Sequence, residues 1–202
     1  MTPEIREALQ YCPNLPSPPG IAIRIVELGR DPNVDLTALS RLLARDPALA
    51  SRVLRASNSA LYAQRRRSDN LRQALVVIGL NATMTVALSF SLAEALTDGP
   101  NGAHVTQMVW RRALISASAA RLLGAHLNMR DLEELFLAGL LQDLGILALD
   151  AAMPEVYRPL VMEAHDHDDL LEKERASLGA DHGEAGEWLM TNWGLPKRMA
   201  TV

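Results

Sequence analysis

Two histidines and three aspartates crowd into His165-Asp166-His167-Asp168-Asp169, residue types that could together hold a divalent ion. The same tract also has the composition of a solvated acidic turn whose aspartate caps the following helix, and that reading is preferred. Gln64-Arg65-Arg66-Arg67-Ser68 is the one basic run. Three adjacent guanidiniums could contact a phosphate or a nucleotide, so Arg65, Arg66 and Arg67 are candidate anion-binding residues. An exposed interhelical loop is the preferred reading of the run, with anion contact as the alternative. Three charges in a chain of net charge −4 are too few for a nucleic-acid footprint. Ser57 and Ser59 have no neighbouring His–Asp arrangement, and no glycine-rich phosphate loop occurs. Trp110, Trp188 and Trp193 fall at helical positions and read as core anchors rather than stacking platforms.

The elements that must position these residues are helices. The 202 residues are 49% hydrophobic, 22% charged and only 4% aromatic. That balance excludes wholesale disorder and favours packed helices over sheets. Asp46-Pro47 reads as an N-cap followed by an N1 proline, with Leu49 and Val53 on one face. Asp35 caps a helix striped by Leu36, Leu39, Leu42 and Leu43. Asp131 with Glu134, and Asp181 with Glu184, have capping-box spacing. Pro16, Pro18, Pro19 and Gly20 precede a helix over Ile21 to Leu28. Leu75 to Leu80 is the one β-like run, and it is short. The turn formers Thr97-Asp98-Gly99-Pro100-Asn101-Gly102 divide the chain into units at 1–96 and 103–202. A single cysteine, Cys12, excludes an intrachain disulfide framework. The apolar region Leu135 to Met153 is interrupted by Gln142, Asp143 and Asp150, which argues against a membrane span. With no basic, apolar leader at Met1-Thr2-Pro3-Glu4, the expected location is the cytoplasm.

An ordered set of motifs then resembles one family. Leu15-Pro16-Ser17-Pro18-Pro19, Arg45-Asp46-Pro47-Ala48-Leu49 and Ala56-Ser57-Asn58-Ser59-Ala60-Leu61-Tyr62 are similar to the N-terminal half of HDOD domains. Leu71-Arg72-Gln73-Ala74-Leu75 and Ile78-Gly79-Leu80 continue the match. Val109-Trp110-Arg111, Leu137 to Gly145, Glu174-Arg175, His182 and Trp193-Gly194-Leu195-Pro196 follow in the family's order. The resemblance covers roughly residues 12 to 202. It implies an all-α fold in which an N-terminal helical bundle packs on a degenerate HD-like bundle, together one module. It also implies a regulatory module of a bacterial signalling protein, of the kind often linked to receiver, diguanylate cyclase or sensory domains. The sequence ends within what would be the family's closing helices, so the chain is expected to be part of a longer protein, with signalling proteins or a linked C-terminal output domain as its partners.

Against the related HD phosphohydrolases, Leu141-Gln142-Asp143-Leu144-Gly145 looks like a metal-hydrolase signature without its first ligand. Asp143 and Gly145 are in place, but Gln142 stands where the doublet has histidine, and a neutral amide is a poor ligand for metals that imidazole suits. Counting back along the resemblance puts Arg112, a permanent cation, at the position of the first histidine ligand. His104 and His126 flank that helix outside the register. His182 matches a ligand position of HD-GYP enzymes and Gly186 the glycine of that motif, while the glycine-tyrosine-proline signature is missing. The vestigial pocket is therefore Arg112, Gln142, Asp143 and His182, with Asp143 expected to pair with Arg112 and His182 to be a hydrogen-bonded structural histidine. No catalytic residue, metal or cofactor is expected. The leading expectation is a non-catalytic regulatory domain acting on signalling proteins or on a linked domain, with a homodimer as one assembly and neither nucleic acid nor membrane as partner. The rivals are an HD-type phosphohydrolase acting on a nucleotide or cyclic dinucleotide, and a module that senses a nucleotide without hydrolysing it.

Overall fold

The computed structural model describes residues 1–62, 67–97 and 103–195. Among these it contains helices and turns and no strand. The first half holds α1 (Pro3–Gln10), α2 (Gly20–Gly29), α3 (Leu36–Leu43), α4 (Pro47–Ser57), a 3-10 turn (Ala60–Tyr62), α5 (Leu71–Ile78) and α6 (Leu80–Thr97). The second holds α7 (Ala103–His126), α8 (Leu132–Leu141), α9 (Leu144–Ala152), α10 (Pro154–Glu163), α11 (His167–Leu178) and α12 (His182–Asn192).

Local chemistry accounts for half of the helix starts. Thr2, Asp35, Asp46, Asn70, Asp166 and Asp181 each accept a backbone N–H three residues on, satisfying donors that the first turn leaves free. Asp131 departs from its expected role. Its backbone is left-handed (φ 59°) and its side chain makes no capping bond, so the spacing to Glu134 does not produce a capping box there. The β-like run Leu75 to Leu80 is instead the end of α5, a bend of 113° and the start of α6. Gly79 makes that bend at φ 88°, a region that side chains with a Cβ avoid.

Helix α9 is the centre of the molecule. Residues Leu144 to Asp150 are all buried, and α1, α7, α10 and α12 pack around them. Burying each Leu or Ile there contributes on the order of 2 kcal/mol, which explains why this stretch is so apolar. Leu132–Ala152 is long and apolar enough to cross a membrane, yet most of it is buried inside the fold. Gln142 and Asp143 form the break between α8 and α9.

Contacts also run across the boundary at 97–103, of which residues 98–102 lie outside the described part. Helix α1 packs on α9 and α6 on α8. The Tyr62 hydroxyl donates to Glu133 (2.7 Å), the Arg30 guanidinium donates to the Gly194 carbonyl (2.7 Å), and the Met1 ammonium pairs with Glu184 (2.9 Å).

Candidate functional site

Asp143 sits just before the first turn of α9 with a side chain 2% exposed. Three neighbouring elements converge on it. From α7, Arg112 brings Nε to 3.3 Å from Oδ2. From the start of α12, His182 brings Nε2 to 3.9 Å from Oδ1. From the start of α11, His167 stacks obliquely on His182, with ring centroids 4.8 Å apart.

The α9–α12 contact that delivers His182 depends on Gly145. A Cβ at that position would overlap the His182 carbonyl oxygen, so the glycine of the signature is needed for close helix approach. A second layer then orients the imidazole. Glu174, fully buried on α11, accepts from the His182 backbone N–H (2.9 Å) and lies 2.7 Å and 2.9 Å from Nδ1. The Tyr157 hydroxyl donates to the same carboxylate. Burial, with the Glu174 charge beside it, pushes the Tyr157 phenol far above its usual pKa, so it remains a donor. With Nδ1 held by Glu174, the His182 ring presents Nε2 toward Asp143.

His167 is the residue that the sequence misplaces. Asp166 does cap α11, as the acidic-turn reading of the 165–169 tract expects, and His165 is exposed. His167, however, turns inward, and its Nδ1 contacts the Arg112 guanidinium. Burial, then the Arg112 charge, lowers the His167 pKa, which keeps the ring neutral and its Nδ1 an acceptor. The inward turn depends on where α11 docks, which local sequence does not encode.

The structure thus brings together Arg112, Asp143 and His182, and adds His167, Glu174 and Tyr157. Gln142 donates from its amide to the Ser116 hydroxyl on α7 (3.0 Å). Of the basic run, Arg65 and Arg66 lie outside the described residues, and Arg67 is exposed. His126 is exposed. Trp110, Trp188 and Trp193 are half-buried against the core.

Does this donor set suit a metal ion? Ligand atoms of Asp143, His167 and His182 all lie within 4.8 Å of one another. Although Arg112 is close, its N–H is not aimed at Asp143 Oδ2, and that buried oxygen has no hydrogen-bond donor. Two imidazoles and an unsatisfied carboxylate fit a divalent transition ion, with Arg112 competing for the same place.

The HDOD domain family model matches residues 15–202, nearly the whole chain. The chain belongs to the HDOD family. An HDOD domain protein of unknown function from Geobacter sulfurreducens has the same fold, with a TM-score of 0.78 and 24% identity over 97% of this chain and 66% of the other. A candidate phosphohydrolase of Shewanella amazonensis gives 0.74 and 24% over 96% and 69%. A candidate signal-transduction protein of Marinobacter aquaeolei gives 0.66 and 24% over 98% and 48%. At these identities the likeness establishes the fold. A curated uncharacterized protein of Treponema pallidum (strain Nichols) is 24% identical over 96% of this HDOD chain, which spans 37% of that relative's length.

Proposed function

We propose that this HDOD chain is a non-catalytic regulatory module, placed in the bacterial cytoplasm, that passes a signal through protein contacts. One observation carries the reading. The Arg112 guanidinium lies against both Asp143 and His167, where a hydrolase of related fold would need a metal ion. A divalent ion bound there would supply Lewis acidity and an activated water. Here Gln142 adds no ligand of that kind, and its amide is committed to Ser116.

The contact surface supports the same reading. Leu114, Ile115, Leu122 and Leu123 are each more than half exposed on α7, the helix that carries Arg112. Several large apolar side chains exposed along one helix favour a protein-interaction site. The partners would be signalling proteins, a linked output domain or a second copy of the chain.

Hydrolysis assays test the proposal. Cyclic dinucleotides and phosphomonoesters should not be turned over with manganese, iron or magnesium supplied. Turnover that Asp143→Ala abolishes would instead establish the phosphohydrolase reading, which the three converging donors Asp143, His167 and His182 favour.

A further inference from the structure

The geometry points to an exchangeable cation site in this pocket, occupied by the Arg112 guanidinium in one state and by a divalent transition-metal ion held by Asp143, His167 and His182 in another. The role of the exchange as a regulatory input rests on the function proposed above, whereas the binding itself does not. The sequence alone argues for no metal, because it leaves only Asp143 and His182 as donors. The inward turn of His167 supplies the third.

Four observations converge. The donor atoms lie within 4.8 Å of one another, and ligands of one ion at about 2.1 Å stand about 3–3.5 Å apart. A contraction of about 1 Å is within reach of side-chain rotation. Independently, Asp143 Oδ2 is buried and lacks a hydrogen-bond donor, a condition that native structures rarely tolerate without a use. His182 already has the support that metal-binding imidazoles receive, with Nδ1 held by a buried carboxylate that Tyr157 in turn holds. Finally, Asp143 and Glu174 place two buried carboxyl groups in the pocket against one permanent cation, so a dication compensates them better.

Arg112 is positioned to leave. Its side chain is 31% exposed, the most open member of its pair with Asp143, and that pair is a charge contact without hydrogen-bond alignment. Turning outward returns a hydrated guanidinium to water, and the ion takes over its contacts with Asp143 and His167. The link between α7 and α11 would then be replaced by a bridge joining α9, α11 and α12. The exposed apolar face of α7 would be freed from one of its anchors, which couples the pocket to the contact surface.

Cobalt(II) titration of the whole 202-residue chain, stripped with chelator beforehand, decides the matter, because visible d–d absorption reports imidazole and carboxylate ligation directly. One equivalent should bind to the wild type. Asp143→Asn and His167→Ala should each weaken binding by about tenfold or more, the scale on which lost metal support is felt. Removing the competitor with Arg112→Ala, or with Arg112→Gln should the alanine variant not fold, should tighten it by about tenfold. A wild type that binds no cobalt at millimolar concentration overturns the site, as does binding that survives both Asp143→Asn and His167→Ala. Unchanged or weaker affinity in a folded Arg112 variant overturns the exchange. Hydrolysis of a phosphodiester by the metal-loaded chain would overturn the non-catalytic reading and leave this site standing.

Discussion

Asp143 and Asp150 lie at opposite ends of α9, both buried, both beside an arginine, yet they are satisfied very differently. Asp150 is fully buried and receives a fork from Arg158, with Nε at 2.8 Å from Oδ1 and Nη2 at 3.4 Å from Oδ2. It stands near the negative end of its helix, so it depends on that fork. Asp143 stands at the favourable N-terminal end but has a single off-axis approach from Arg112 and two imidazoles nearby. A carboxylate whose oxygens are paired is explained by structure. One that is buried, helped by the helix dipole and still short of a donor has capacity left to bind something.

The largest expected effect tests whether the Asp143 end is built by backbone contact. Gly145→Ala should destabilise the chain by about 3 kcal/mol or more, since the added methyl meets the backbone of α12 rather than a movable side chain. Urea melts would measure it. A cost below about 1 kcal/mol would mean that α9 and α12 separate easily and that His182 is not held in place.

Next in size is Arg112→Ala, which leaves Asp143 buried without its cation. We expect a loss of about 2–4 kcal/mol, at the low side of a fully buried pair because the guanidinium is partly solvated. The neighbouring exposed Arg111→Ala should stay within about 0.5 kcal/mol. Adding Asp143→Ala to Arg112→Ala should recover at least about 1 kcal/mol relative to additivity. Strict additivity in denaturant melts would show that the two residues are independent and that the contrast with Asp150 is empty.

At the other end of α9, Asp150→Asn should cost about 1–3 kcal/mol, because an amide presents a mismatched donor to the Arg158 fork. It should leave cobalt affinity unchanged. A change in cobalt affinity would mean that the two ends of α9 communicate.

The contrast between the two ends was only half legible in the sequence. Asp143 and Arg112 could be placed because the resemblance to HD phosphohydrolases carries those two positions over. Asp35, Asp46 and Asp181 could be read as caps because capping is decided within four residues. Asp131 failed by the same local rule, since a left-handed backbone turns its side chain away from the helix start. His167 was missed because its neighbours Arg112 and His182 are brought to it by helix docking. Glu174 and Tyr157 carry no local sign of their bond, which spans two helices. Apolar periodicity and turn residues specify an all-helical fold, whereas a pocket assembled from five elements is specified by their packing.

Glu133 extends the comparison to a third carboxylate, where the smallest effect is expected. It lies in the seam between the two halves and accepts from the Tyr62 hydroxyl (2.7 Å) and Arg121 (3.2 Å), so it resembles Asp150 in being satisfied. Burial, then the hydrogen bond to Glu133, raises the Tyr62 pKa above its ordinary value of 10.0. A phenol that holds its proton more tightly when folded contributes stability that is present below the unfolded pKa. That contribution is lost as pH rises past about 10, where the unfolded chain ionises first. Tyr62→Phe should cost about 1 kcal/mol at neutral pH, the net value of one hydrogen bond. It should also lessen the fall in stability above pH 10, while Tyr157, more deeply held by Glu174, keeps part of that fall in place. Melts of wild type and Tyr62→Phe across the alkaline range give the difference. An identical pH slope would show that Glu133 is satisfied by Arg121 alone and that the seam, unlike the Asp150 end of α9, does not require its second donor.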